Sequence, residues 1–116
     1  MLDITRFDQI YIYRPFADFR KGINGLCGII QDEMNLNPFK KYLFIFCSRT
    51  RDKVKMIYWD DTGFVLWHKR LEVEKYLWPT TWENDSIKVD VNKIQAFLQG
   101  LDPWREPHKN LDYSSI

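Results

Sequence analysis

The apolar positions of this chain switch between two periods, and the switches outline its elements. Residues 9–13 form a short β-branched and aromatic run that Arg14-Pro15 ends. Ile23, Leu26, Cys27, Ile30 and Met34 then recur at i, i+3, i+4, i+7 and i+11, which predicts an amphipathic helix. Asp18 is its candidate N-cap, and residues 35–38 end it. Gly22, Gly25 and Gly28 fall opposite that stripe, and each costs about 1 kcal/mol relative to Ala in a helix. Three of them predict a close approach to the helix back, by another segment of the chain such as the first strand, or by a partner. Tyr42 to Cys47 is continuously apolar and predicts a central strand buried on both faces.

Lys53 to Trp59 and Gly63 to Leu71 read as two further strands joined at Asp60-Asp61-Thr62-Gly63. Asp suits the first turn position and Gly the left-handed position of a three-residue loop with a bulge. That loop sets Trp59 opposite Val65, Ile57 opposite Trp67 and Lys55 opposite Lys69. One face then carries Lys53, Lys55, Ile57, Trp59, Val65, Trp67 and Lys69, and the other carries Val54, Met56, Tyr58, Phe64, Leu66, His68 and Arg70. A two-residue loop shifts the register and breaks both sets. Interleaved cations and Trp rings suit a single-stranded nucleic acid, rings stacking on bases and ammonium groups meeting phosphates. The competing reading has both lysines snorkelling at a sheet edge over core tryptophans. Arg49, Arg51 and Lys53 alternate with Thr50 and Asp52 at the mouth of the hairpin, where guanidinium groups suit phosphate or carboxylate.

Residues 74–78 extend the sheet in this reading, 86–91 form an edge strand, and Asn92 caps a second helix with Gln95 three residues on. Ile94, Phe97, Leu98 and Leu101 are its apolar face, and Gly100 ends it. The expected fold is α+β: an antiparallel meander of about four to six strands with two main helices packed on it. Residues 1–104 read as a single domain and 105–116 as a flexible tail.

Composition changes this picture in three ways. The chain has 116 residues and 45% hydrophobic positions, enough for one real core. Five Trp, six Tyr and eight Phe exceed the needs of that core, so some are candidates for an exposed interface. A net charge of +1 restricts nucleic-acid binding to a local patch. Cys27 and Cys47 lack metal-ligand spacing and read as buried thiols of a reducing compartment. With no apolar signal core and no run long enough to span a bilayer, the expected location is cytoplasmic, without membrane contact.

Catalytic patterns are missing. A two-metal nuclease needs carboxylates converging on a metal pair. Of Asp18, Asp52, Asp60, Asp61, Glu72 and Glu74, the Asp60-Asp61 pair is better explained as a turn. No Ser or Cys sits in a nucleophile motif, no glycine loop cradles phosphate, and His68 and His108 stand alone. The expectation is a non-enzymatic protein with no cofactor, no metal and no small-molecule substrate.

The residues quoted above also resemble a known family. The stretches are DFRKGINGL at 18–26, NPF at 37–39, LFIF at 43–46, SRTRDKVKMIYWDDTGF at 48–64, KRLE at 69–72, WP at 78–79 and QGLD at 99–102. In that order they resemble the small accessory protein, often called TnpB, encoded by bacterial insertion sequences of the sixty-six type. Thr50 stands where that family often has another basic residue, and Leu77 where an aromatic before Trp-Pro is common. The resemblance implies a role in transposition beside a larger transposase, which carries the catalytic acids. Its basic and aromatic positions fall on Arg20, Lys21, Arg49, Arg51, Lys55, Trp59, Lys69 and Arg70. With Lys53 and Trp67 these are the candidate binding residues. Three readings stand: a DNA-binding accessory factor, an adaptor for the transposase or another element-encoded protein, and a cryptic metal-dependent nuclease.

Overall fold

In the computed structural model, which describes residues 3–79 and 83–99, the chain folds as a mixed five-stranded sheet with a helix on each face. Strand β1 is Gln9–Tyr13, helix α1 Ile23–Asp32, and strand β2 Tyr42–Cys47. The hairpin follows as β3, Lys53–Trp59, and β4, Phe64–Arg70. Strand β5, Ser86–Val89, and helix α2, Val91–Leu98, complete it.

The sheet order is β4-β3-β2-β1-β5. β1 and β2 are parallel, Ile10 opposite Leu43 and Ile12 opposite Ile45, and the other neighbours are antiparallel. The sheet is therefore mixed, which corrects the expected antiparallel meander. The reason is the helix between β1 and β2, which carries the chain back to the end where β1 began, so that β2 runs alongside it. β2 is the middle strand, and Leu43 to Cys47 are all buried, as their unbroken apolar run requires.

α1 covers one face through Leu26, Ile29 and Ile30, over Tyr13, Phe44, Phe46 and Ile57. Ile29 joins the stripe, whereas Ile23 and Cys27 lie at its margin. On the helix back, nothing stands within 4 Å of a Cβ built at Gly22 or Gly28, and at Gly25 only the Lys21 side chain does. The expected internal approach is absent among the described residues, because α1 meets the sheet by its opposite side. Its N-cap is Gly22 rather than Asp18. The other face holds Ile10, Ile12, Leu43, Ile45, Val54 and Met56 under Ile94 and Phe97 of α2, with Tyr76 and Trp78. Asp90, not Asn92, caps α2, its carboxylate accepting from the Lys93 amide at 2.9 Å. Residues 74–78 form no strand; they cross this face, and Tyr76 stacks on Phe97 with centroids 4.8 Å apart. The apolar Leu101, the helix stop at Gly100 and the tail 105–116 lie outside the described residues.

Candidate functional site

The hairpin register differs from the expected one by a single residue. Trp59 pairs with Phe64, Met56 with Trp67 and Lys55 with His68. The loop holds four residues, because the Asp60 carboxylate accepts from the amides of Thr62 and Gly63 and from the Thr62 hydroxyl. The left-handed position falls on Asp61, φ 77°, not on Gly63. One residue of slip exchanges every β4 side chain between faces. Lys53, Lys55, Ile57, Trp59, Phe64, Leu66, His68 and Arg70 therefore share the α1 face, while Trp67 and Lys69 lie on the α2 face with Val54 and Met56. The single stripe expected from sequence is split, and Lys55 does not face Lys69.

A different grouping of the basic residues emerges at the C-terminal ends of β1 and β2. The loop after β1 runs beside the loop after β2: Ala17 bridges Ser48, and the Ala17 amide donates to the Cys47 carbonyl at 2.9 Å. This contact joins the stretches 16–22 and 48–53, which are 26 or more residues apart in sequence. Together they carry Arg20, Lys21, Arg49, Arg51 and Lys53 against Asp18 and Asp52. Phe16, Asp18, Phe19, Arg20, Ser48, Arg49 and Thr50 line a polar cleft of about 430 Å³ between them. α1 starts at the same end, with no side chain capping its first turn, so the positive end of its dipole adds to the cations.

Both loops are held firmly. Lys55 is 8% exposed, and its ammonium donates to the carbonyls of Phe19 at 2.9 Å and Lys21 at 3.2 Å, lying 4.9 Å from the Phe19 ring centroid. This lysine ties the first loop to the sheet instead of facing a ligand. On the second loop, Ser48 and Thr50 hydroxyls approach the Asp52 carboxylate, and the Arg51 amide donates to the Ser48 carbonyl with Arg51 at φ 61°. Residues 71–76 brace it: the amides of Leu71 and Tyr76 donate to the carbonyls of Asp52 and Arg51, and Lys75 Nζ donates to that of Thr50.

Not all these cations are unpaired. Arg20 forms a 2.8 Å pair with Asp18, though its side chain is 91% exposed, and its bonds hold the Asp18 carboxyl far below the usual carboxylate range. Lys53 pairs with Asp52 at 3.2 Å and Arg70 with Glu72 at 2.9 Å. The Thr50 bond, then Lys53, lowers the Asp52 carboxyl to about 2. Next to this end, partial burial and then the charges of Lys55, Lys53 and Arg70 hold the His68 imidazole below its ordinary value. The Phe19 ring meets the His68 ring edge-on at 6.0 Å. Phe19 and Ser48 are thus parts of the site that charge and aromatic patterning alone did not select, although both lie inside the DFRKG and SRTRD stretches. His68, which in sequence reads as either structural or part of a basic surface, joins them beside Lys53, Lys55 and Arg70.

Trp59 stands at the other end of β3, about 20 Å away by strand rise. It forms a three-ring cluster with Phe64 and Phe39, centroids 5.0–5.2 Å apart, and Phe39 is 52% exposed. Trp67 is half-buried on the α2 face and, with Lys69, Met56, Ile4 and Leu98, lines a groove of about 760 Å³. No helix of the described residues is long and apolar enough to cross a membrane.

A family model described as IS66 Orf2-like protein (TnpB) matches residues 8–109. Two relatives in Sinorhizobium fredii are similar along nearly their whole length. The uncharacterized protein y4hO is 31% identical, covering 87% of this chain and 86% of its own. The uncharacterized protein y4jC is 28% identical, covering 94% and 92%. No solved structure matches the chain.

Proposed function

The chain belongs to the IS66 Orf2-like family of transposition-associated accessory proteins, and from that premise we propose that it contacts the phosphate backbone of DNA without catalysing a reaction itself. The contact surface is the cationic end built from residues 18–21 and 48–53. The observation carrying this reading is the Ala17–Ser48 bridge, which brings together two basic loops that are separate in sequence. Arg49 and Arg51 are exposed guanidinium groups on a braced loop, and Lys21 is exposed beside the uncapped start of α1. Such groups position a protein on a duplex without reading its sequence. The partner in the cell is then DNA of the element, in company with the transposase. Fluorescence anisotropy with duplex DNA from the ends of an insertion sequence tests this. The Lys21→Gln/Arg49→Gln/Arg51→Gln protein should lose at least about tenfold in affinity at low salt. Equal binding by both proteins would exclude this surface.

One observation favours a second reading, a protein adaptor. The Phe39, Trp59 and Phe64 rings form a partly exposed apolar patch at the end of the sheet opposite the cations. Aromatic anchors of this kind dominate protein interfaces. Phe39→Ala should weaken co-purification with the transposase and leave DNA affinity unchanged; the reverse pattern would assign the patch no such role.

A further inference from the structure

The two edges of the sheet are unequal. β5 is four residues long and β4 seven, and among the described residues no strand pairs with the outer side of β4. A long open edge is a template for another strand, and proteins ordinarily shorten or cover it. The phase of β4 is set by the Asp60 amide donating to the Gly63 carbonyl and the Leu71 amide to the Asp52 carbonyl. Antiparallel pairs alternate between hydrogen-bonded and non-bonded. Val65, Trp67 and Lys69 therefore direct their backbone groups to β3, and Phe64, Leu66, His68 and Arg70 direct theirs outward.

We propose that this edge pairs antiparallel with the β4 edge of a second copy of the chain, about a two-fold axis at Trp67. A two-fold interface brings the same patch of both copies together. Overlap of all seven residues occurs in one antiparallel register. It sets Phe64 opposite Arg70, Val65 opposite Lys69, Leu66 opposite His68 and Trp67 opposite its own copy. No cation meets a cation, whereas a shift of the axis to Lys69 would face Lys69 with Lys69 at a cost. Beyond the overlap, Glu72 already neutralises Arg70 at 2.9 Å, so Lys69 and Arg70 at that end of the strand do not add up to an uncompensated basic cluster across the dyad. The product is a continuous ten-stranded sheet carrying a cationic end on either side of the dyad. This goes beyond the DNA-contact reading and does not depend on it.

Light scattering and sedimentation equilibrium over about 1–200 µM, a range in which weak and moderate association both register, test the pairing. The wild-type protein should show twice the chain mass. His68→Pro removes an outward amide hydrogen that the β3–β4 ladder does not use, and proline is tolerated on an edge strand. It should weaken association by about tenfold or more while circular dichroism stays unchanged. If that variant fails to fold, Val65→Cys/Lys69→Cys decides. Its non-bonded cross-dyad pair lies about 4.5 Å apart at Cα, within disulfide reach, and oxidation should link position 65 of one copy to 69 of the other. A monomer throughout the range, a dimer indifferent to His68→Pro, or no 65–69 cross-link overturns the proposal.

Discussion

Replacing Lys55 with Met probes how the cationic end is held together. The stem of Lys55 runs among buried residues of β3, and Met refills most of that volume with apolar atoms. The two carbonyls it served, of Phe19 and Lys21, lose their ammonium donor. A hydrogen bond to a charged group contributes about 1.5–3 kcal/mol, and a stranded buried carbonyl costs about 1–3 kcal/mol. Lys21 is exposed, so water can replace the donor there; Phe19 is half-buried and cannot rehydrate fully. Relief of the desolvated ammonium offsets part of the loss. The net destabilisation is then about 2 kcal/mol, or roughly 6–12 °C in Tm for a domain of this size. Urea unfolding measures the first quantity and calorimetry the second. Hydrogen exchange should show faster opening of residues 18–22, with β2 unaffected. Lys53→Met, whose ammonium pairs at the surface with Asp52, is the control and should cost about 0–1 kcal/mol. A Lys55→Met protein as stable as wild type, with unchanged exchange at 18–22, would refute the tethering role.

Four further outcomes are expected. The Tyr76 hydroxyl is buried without a hydrogen-bond partner among the described residues, and burial pushes it up to about 12, so Tyr76→Phe should raise stability by about 1 kcal/mol in urea titrations. Asp90→Ala removes the cap of α2 and should cost about 1 kcal/mol by the same measurement. His68 has a folded-state value below its unfolded one near 6.5, so the unfolded chain binds the proton more tightly. Its contribution to stability is present above that value and is lost as pH falls through the lowered folded one. His68→Gln should flatten the stability profile between about pH 7 and 5. A phosphate bound beside the imidazole would favour its charged form, so DNA affinity should rise on acidification in the wild type and rise less in His68→Gln.

Much of the fold was legible because period and apolar content act locally. The buried run of β2, the hairpin strands and both helices follow from residues that each element contains. Two features depended on what lies outside an element. The parallel pairing of β1 and β2 is decided by the helix that returns the chain between them. The hairpin register is decided by one carboxylate, Asp60, which closes a four-residue loop and so moves Trp67 and Lys69 to the α2 face. The cationic end was half legible. Alternation in sequence groups Arg49 with Arg51, and the family resemblance supplies Arg20 and Lys21, but it takes the Ala17–Ser48 bridge and the Lys55 tether to show that the two pairs share one end of the sheet. Lys55 looked equivalent to its neighbours in sequence. Its burial is a tertiary outcome, created by the loop that folds over it.

The salt dependence of DNA binding tests the central claim most directly. Lys21, Arg49 and Arg51, exposed cations at the joined loops that form no ion pair within 4 Å among the described residues, define the core of the surface. The logarithm of the association constant should therefore fall linearly with the logarithm of salt concentration. About three to five phosphate contacts on a duplex give a slope of roughly −3 to −4.5, at −0.9 per contact. In Lys21→Gln/Arg49→Gln/Arg51→Gln the slope should shrink by about three contacts. No binding at low salt, or a slope that the triple substitution leaves unchanged, would contradict the account.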